Sequence, residues 1–421
     1  MEQLEEIREL ERRLASAAAY RNVTLLPAVK AALGLLEELG AVSPRPRVLL
    51  DRWAELFYAL AGEGYASLGE YLRDHILYDD SPYARAASEG KADPSLVRAA
   101  RRDLDAFSRL GSLGAKRLKA LALEAAGPEY GPAVDALPEW RTGRKLDFQK
   151  ITEQYRRNGW GPFARYRAFV WEDPHLIPVE DPDVPGADEL VGYRLQRTAV
   201  IDNTRAFLKG NRINNVLLYG ESGTGKSATV KSLLGIPEFG DLRIVEVRRE
   251  RLGDLPELIR QLSGRRQKFI LFLDDLTFEN DDKTFSCLKT VLEGGLERRP
   301  VNVAVYATSN RRHLVREFFS ERGKDEIDPK ESIQEKAALS ERFGIRIPFL
   351  ALGKQEYLEL VDILAARAGI RMEPEALHGE AMRWELHHAG RTPRTARQFI
   401  DYLLGRGCVC PPDEGDFERP L

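Results

Sequence analysis

Cysteine is scarce: three residues in a chain of 421 leave no material for a disulfide framework, and a reducing cytoplasm is the expected setting. No apolar run approaches the length needed to cross a bilayer, so no membrane partner is expected. The opening Met-Glu-Gln-Leu-Glu-Glu-Ile-Arg has neither the basic start nor the apolar stretch of a signal peptide. Charge of one sign is also missing. A formal net charge of −3 gives no global pull toward nucleic acid, although local basic patches remain open. The six histidines form no H-E-x-x-H pattern, and His387 and His388 sit among helical residues. Cys408 and Cys410 have no histidine or further cysteine near enough in sequence to complete a zinc site. Internal repeats and low-complexity tracts are absent. What remains is a globular chain, 43% hydrophobic and 31% charged, long enough for two or three domains.

Residues 1–127 are expected to be all helical. Apolar stripes run through Leu4, Ile7, Leu10 and Leu14, and through Leu26, Val29, Leu33, Leu36 and Leu39. Further stripes join Leu49, Trp53, Leu56, Phe57 and Leu60, and Leu96, Ala100, Leu104 and Phe107. They fit a helical bundle, or a bundle with one stripe left to dock a partner. Residues 128–187 carry eight prolines and the aromatics Trp160, Phe163, Tyr166, Phe169 and Trp171, which suggests a connector. Those aromatics could stack on a base or fix the connector to a neighbouring domain.

From 188 onward strand and helix signals alternate, as in a parallel sheet covered on both faces. Five strands are expected, near 216–219, 242–247, 269–273, 301–307 and 345–350. A helix is expected around Lys283 to Leu292, and three more follow the last strand, near 354–368, 374–388 and 393–405. The chemistry concentrates after the first of these strands. Gly220, Gly225, Lys226 and Ser227 satisfy G-x-x-x-x-G-K-[ST] between a strand and a helix. By chance this pattern arises in roughly one chain of such length in a hundred. The amides from Gly220 through Glu221, Ser222, Gly223, Thr224, Gly225, Lys226, Ser227 and Ala228 can wrap a polyphosphate, and the helix start aims its positive dipole at the same anion. Lys226 should reach the β- and γ-phosphates, and the Ser227 hydroxyl should ligate Mg²⁺. Phe269 to Leu273 ends in Asp274 and Asp275. A carboxylate closing a buried strand is costly unless it pairs or coordinates, so Asp274 is the expected partner of Ser227 on Mg²⁺. Asp275 can orient or deprotonate a water.

Five stretches carry a resemblance. They are Leu-Leu-Tyr-Gly-Glu-Ser-Gly-Thr-Gly-Lys-Ser at 217–227, Leu-Phe-Leu-Asp-Asp-Leu-Thr-Phe-Glu at 271–279 and Tyr-Ala-Thr-Ser-Asn-Arg-Arg-His-Leu at 306–314, then Leu-Ser-Glu-Arg-Phe-Gly at 339–344 and Gly-Arg-Thr-Pro-Arg-Thr-Ala-Arg-Gln-Phe-Ile at 390–400. In order and spacing, residues 188–405 resemble an AAA+ ATPase module, most closely an uncharacterised bacterial AAA+ group known as a domain of unknown function. The resemblance implies a five-stranded parallel P-loop core at 188–350, a helical lid at 351–406 and a tail at 407–421, behind the all-α N-terminal domain. It implies that Asn310 positions the hydrolytic water with Asp275, that Arg342 is a finger reaching a neighbouring subunit's γ-phosphate, and that Arg394 is the lid's sensor arginine. Leu190, Val191, Gly192 and Tyr193 resemble the segment that packs on adenine. The ligands implied are ATP or ADP with Mg²⁺, and the assembly a homo-oligomeric ring such as a hexamer.

Two departures matter. Many AAA+ proteins carry glutamate where Asp275 stands, and withdrawing a carboxylate by about 1 Å can cost on the order of a hundredfold in rate, so slow hydrolysis is expected. Where peptide-threading relatives carry an aromatic paddle, Arg248-Arg249-Glu250-Arg251-Leu252-Gly253 has no aromatic. That loop could meet phosphates, an acidic protein surface, or only solvent. The expected activity is Mg-dependent ATP hydrolysis at a subunit interface, acting on a protein or nucleic-acid target. A nucleotide-gated nucleic-acid switch or loader with little turnover is the alternative, and a P-loop small-molecule kinase a third.

Overall fold

The computed structural model describes residues 2–172, 174–186, 189–276, 288–289, 291–292, 300–310, 342–388 and 390–406. The expected helix around Lys283 to Leu292 falls largely outside these residues, and the 407–421 tail with Cys408 and Cys410 entirely so. The chain divides into two compact units, Met1–Arg165 and Tyr166–Leu421. Among the described residues no helix is long and apolar enough to cross a membrane.

The first unit is helical throughout. Its longer helices span Glu2–Ala15, Pro27–Gly40, Pro46–Gly62, Leu68–Leu77, Pro94–Gly111, Ala115–Ala126 and Phe148–Asn158. Starts are set locally: Pro27, Pro46 and Pro94 occupy first turns, where the missing N–H is harmless, and Ser67, Asp93 and Asp147 cap their helices through side-chain oxygens. The apolar stripes face one another. Ile7, Leu14, Val29, Leu36, Leu49, Trp53, Leu104 and Phe107 share a single buried cluster. Trp140, in the stretch read as connector, packs tilted against Trp53 with ring centroids 4.7 Å apart and donates its indole N–H to the Leu113 carbonyl.

One polar group ties this unit together. Asp103, fully buried on the helix Pro94–Gly111, accepts hydrogen bonds at Oδ2 from the backbone N–H groups of Ala18, Ala19 and Tyr20, at 2.8, 2.7 and 3.3 Å. The chain turns there after its first helix, and those amides have left the helical ladder. A carboxylate meeting several donors is the arrangement that makes its burial tolerable.

In the second unit a seven-stranded sheet carries β1 (Ala168–Glu172), β2 (His175–Val179), β3 (Val216–Gly220), β4 (Leu242–Val247), β5 (Lys268–Leu273), β6 (Val303–Ser309) and β7 (Ile345–Phe349). Their order is β2-β1-β4-β5-β6-β3-β7. Every neighbouring pair is parallel except β1 with β2. The five expected strands are all present, and the count of five is corrected to seven. The hairpin β1–β2 lies inside the proline-rich stretch, where Pro178 hides the signal; on the sheet's outermost strand a proline removes no needed ladder bond. β6 also runs two residues past the expected end, because backbone pairing of Thr308 and Ser309 with β3 continues beyond the apolar run. Three helices follow β7, Lys354–Arg367, Pro374–Leu386 and Pro393–Gly405, and pack on their own core of Tyr357, Leu360, Val361, Phe399 and Leu403.

Replacing Asp103 by alanine strands three donors, two of them buried, and is expected to lower the free energy of unfolding by about 2–4 kcal/mol. Asp103→Asn, which keeps one acceptor oxygen, should lose less. Urea titration of the full chain measures both, and equal stability of Asp103→Ala and wild type would contradict the assignment.

Candidate functional site

Parallel pairing decides where the chemistry collects. Tyr219 on β3 lies opposite Ser309 on β6, and Leu273 on β5 lies opposite Ala307 on the same strand. Three segments therefore leave the sheet together at its C-terminal edge, where open parallel sheets bind ligands. Gly220 ends β3 at φ 136°, and a Cβ there would stand 2.1 Å from the Phe349 carbonyl oxygen. Glu221 donates its N–H to that same oxygen at 3.1 Å, so β7 fixes the start of the loop. Gly225, left-handed at φ 89°, then delivers the chain into the helix Lys226–Lys231.

Lys226 folds back along the loop. Its ammonium donates to the carbonyls of Gly220 at 3.1 Å and Glu221 at 2.6 Å. Burial pushes its pKa down to about 8; Asp275 and Asp274 draw it back up, and Arg394 opposes them. An anion in the loop would favour the charged form.

The two acids are set by the neighbouring strand. The Thr308 hydroxyl donates to Asp274 Oδ1 at 2.6 Å and accepts from the Asp275 N–H at 2.9 Å. Ser227 donates its hydroxyl to the same Asp274 oxygen at 2.6 Å. Asp275 sits at φ 51°, a left-handed conformation costing roughly 1–2 kcal/mol for most non-glycine residues and less for aspartate. Its side chain is held by Asn310, whose amide donates to Oδ1 at 2.6 Å. Thr308 was not singled out in the sequence, since a threonine ending an apolar strand carries no signal of its own.

The lid closes on this loop directly. Thr392 caps the helix Pro393–Gly405, and the Arg394 N–H donates to the Gly223 carbonyl at 3.2 Å. A Cβ on Gly223 would come within 3.0 Å of Arg394 Cβ, so the approach requires glycine. Together these elements line a cleft of about 600 Å³. Ser222, Gly223, Thr224, Gly225, Lys226, Ser227 and Ala228 form its floor, with Asp274, Asp275, Thr308, Asn310 and Arg394 around them. Val191, Gly192 and Tyr193 line it as well. The Tyr193 ring packs on Phe349 with centroids 5.0 Å apart, and its hydroxyl donates to the Leu350 carbonyl. Burial raises that hydroxyl's pKa. Gly220 and Glu221 shape the loop without lining the cleft.

Arg342 is not brought there. It is half-buried and precedes β7, whose first residue pairs with Val216 and whose last pairs with Gly220. The arginine therefore lies toward the opposite edge of the sheet from the loop. Sequence reasoning also missed Arg397, Gln398 and Asp401, which line the cleft beside Arg394. Their spacing of three, four and seven residues from Arg394 places them on one helix face, a signal that was available.

The site fits a triphosphate with a divalent cation. Ser227 Oγ and Asp274 Oδ1 offer two hard oxygens at one point, while no group of three or more His, Cys, Asp or Glu side chains among the described residues could hold a metal alone. That donor set suits Mg²⁺, which takes one or two protein oxygens and completes its shell with phosphates and water.

A phosphate loop, a strand separating it from the acid-bearing strand, and a three-helix lid seated on the loop define a P-loop fold of the AAA+ kind. A family model described as "Protein of unknown function (DUF815)" matches residues 164–407, more than half the chain, and the chain belongs to that family. No curated protein matches it. Among solved structures it is similar to the Thermotoga maritima RuvB Holliday junction branch migration motor, at 18% identity and a TM-score of 0.36, over 54% of this chain and 67% of that one. A mutant of the same protein gives 17% identity and 0.37, over the same shares.

Thr308→Val keeps the side chain's shape and removes both of its bonds. It is expected to lower the unfolding free energy by about 2 kcal/mol, with Thr308→Ser losing less than half as much. Thermal unfolding reads the difference, and a valine variant as stable as wild type would refute the clamp.

Proposed function

We propose that this chain is a Mg²⁺-dependent ATPase that hydrolyses ATP between copies of itself, with 188–350 as the nucleotide-binding part and 351–406 as the lid. The observation that carries this reading is the convergence of Lys226, Ser227, Asp274, Asp275, Asn310 and Arg394 around one cleft floored by loop amides. ATP lies with its phosphates over 222–228 and its adenine against Val191–Tyr193. Lys226 exchanges its carbonyl partners for β- and γ-phosphate oxygens. Mg²⁺, held by Ser227 and Asp274, would neutralise developing phosphate charge.

Asp275, steadied by Asn310, orients the attacking water and takes its proton. Arg394 balances charge from the lid side. Arg342 completes the set from a second copy: four strand steps, about 13 Å, separate the start of β7 from its end, so the arginine serves a neighbour's nucleotide better than its own. A guanidinium supplied in this way couples turnover to assembly into a ring. Hydrolysis then alters the angle between core and lid and moves the target.

The basic loop gives less support to a nucleic-acid switch than its sequence suggested. Arg248 pairs with Glu172 at 2.7 Å and Arg251 with Asp254 at 3.7 Å, so part of its charge is answered within the fold.

Lys226→Ala should weaken ATP binding at least tenfold, roughly the worth of one charge-assisted contact. Calorimetric titration giving wild-type affinity would remove the loop's role. Arg342→Ala should bind ATP normally yet lose about a hundredfold or more in turnover. Wild-type specific activity should rise with protein concentration; a flat dependence would count against a shared site.

A further inference from the structure

In the wall of the cleft, core and lid hold adjacent residues of one segment. Arg197, on the core helix Arg194–Leu208, donates to the Leu190 carbonyl. From the other side Arg397, on the lid helix, donates to the Glu189 carbonyl at 2.7 Å. Three residues after Leu190, Tyr193 packs against both the sheet's core and the lid's core. Gly192 and Tyr193 are both left-handed, at φ 83° and 49°, so the chain turns sharply just where it passes from this segment into the core helix. Segment 189–193 thus belongs to the core through Arg197 and to the lid through Arg397, and it forms one wall of the cleft.

The lid helix makes one contact through its first-turn backbone and one through a side chain. Arg394 and Arg397 are three residues apart, about 4.5 Å along the axis. The Arg394 N–H meets the Gly223 carbonyl at the phosphate end, while the Arg397 side chain meets Glu189 at the other. Their places differ. The Gly223 contact is on the loop proposed to hold the phosphates, whereas the Glu189 contact is on the segment proposed to pack on the base. Both acceptors are main-chain carbonyls, so each bond reports where the backbone is, and moving the lid away from segment 189–193 must break the Arg397 bond.

We propose that Arg397 is a positioning residue that latches the lid onto segment 189–193 and thereby sets how long a nucleotide stays bound. This rests on the nucleotide reading of the same cleft and adds to it a control over product release. The latch slows departure without touching the reacting atoms, so its loss shortens the stay of ADP while leaving phosphate chemistry to Lys226, Asp275 and Arg394. A single charge-assisted bond at an exposed position sets the scale, about three- to tenfold in rate.

The test is stopped-flow release of a fluorescent ADP analogue from the full chain, alongside its association rate and the melting temperature without ligand. Arg397→Ala should release it about three- to tenfold faster, with association and melting temperature unchanged, and Arg397→Lys, which still reaches one carbonyl, should restore most of the wild-type rate. Release at the wild-type rate from Arg397→Ala overturns the latch alone, provided wild-type binding is lost in Lys226→Ala. Faster release accompanied by a lowered melting temperature and no rescue by lysine overturns it in favour of a purely structural role. A wild-type chain that binds no ADP refutes the parent reading, and the latch with it.

Discussion

A strand inserted between two others sets the geometry of this protein. β6 separates the phosphate-loop strand from the strand that carries Asp274 and Asp275, and its end supplies the groups that hold both acids in place. Without it the carboxylates would stand at the edge of a sheet with nothing to choose their direction. With it, one threonine hydroxyl fixes the carboxylate of one acid and the backbone of the next, and one asparagine holds the remaining side chain. The left-handed turn at Asp275 is the strained point in this arrangement, and the two hydrogen bonds around it are what over-determine it.

That constraint reaches outward in both directions. Toward the loop, Asp274 meets Ser227, so the two oxygens proposed to hold the cation already stand together. Toward the lid, the Gly223 carbonyl accepts from Arg394, so the loop's conformation and the lid's position are linked by a single backbone contact. In the proposed reading, binding energy released at the phosphates is felt in the lid without a long chain of intermediates.

Much of this was legible in the sequence because backbone requirements leave compositional marks. A loop that must approach β7 within 2.1 Å of a would-be Cβ can hold only glycine, and Gly220 announces itself for that reason. The buried run Phe269–Leu273 marks a central strand, and the acids after it mark its end. What stayed hidden has equally physical causes. The hairpin β1–β2 was masked by prolines that an outermost strand tolerates. Asp103 is one aspartate among many until the chain folds and brings amides 83 to 85 residues away onto it. Thr308 meets both acids through contacts that no local pattern records, whereas the helical spacing of Arg397 from Arg394 was there to be read. Arg342 matched a motif, yet the fold does not bring it to the cleft.

The central claim is that a divalent cation sits between Ser227, Asp274 and the phosphates of a bound nucleotide. Pulsed electron paramagnetic resonance, with Mn²⁺ replacing Mg²⁺ and ATP present, tests it most directly. The account predicts phosphorus couplings to protein-bound Mn²⁺ in the wild type and their loss, together with weaker metal binding, in Asp274→Asn. Couplings and metal affinity unchanged by that substitution would contradict it.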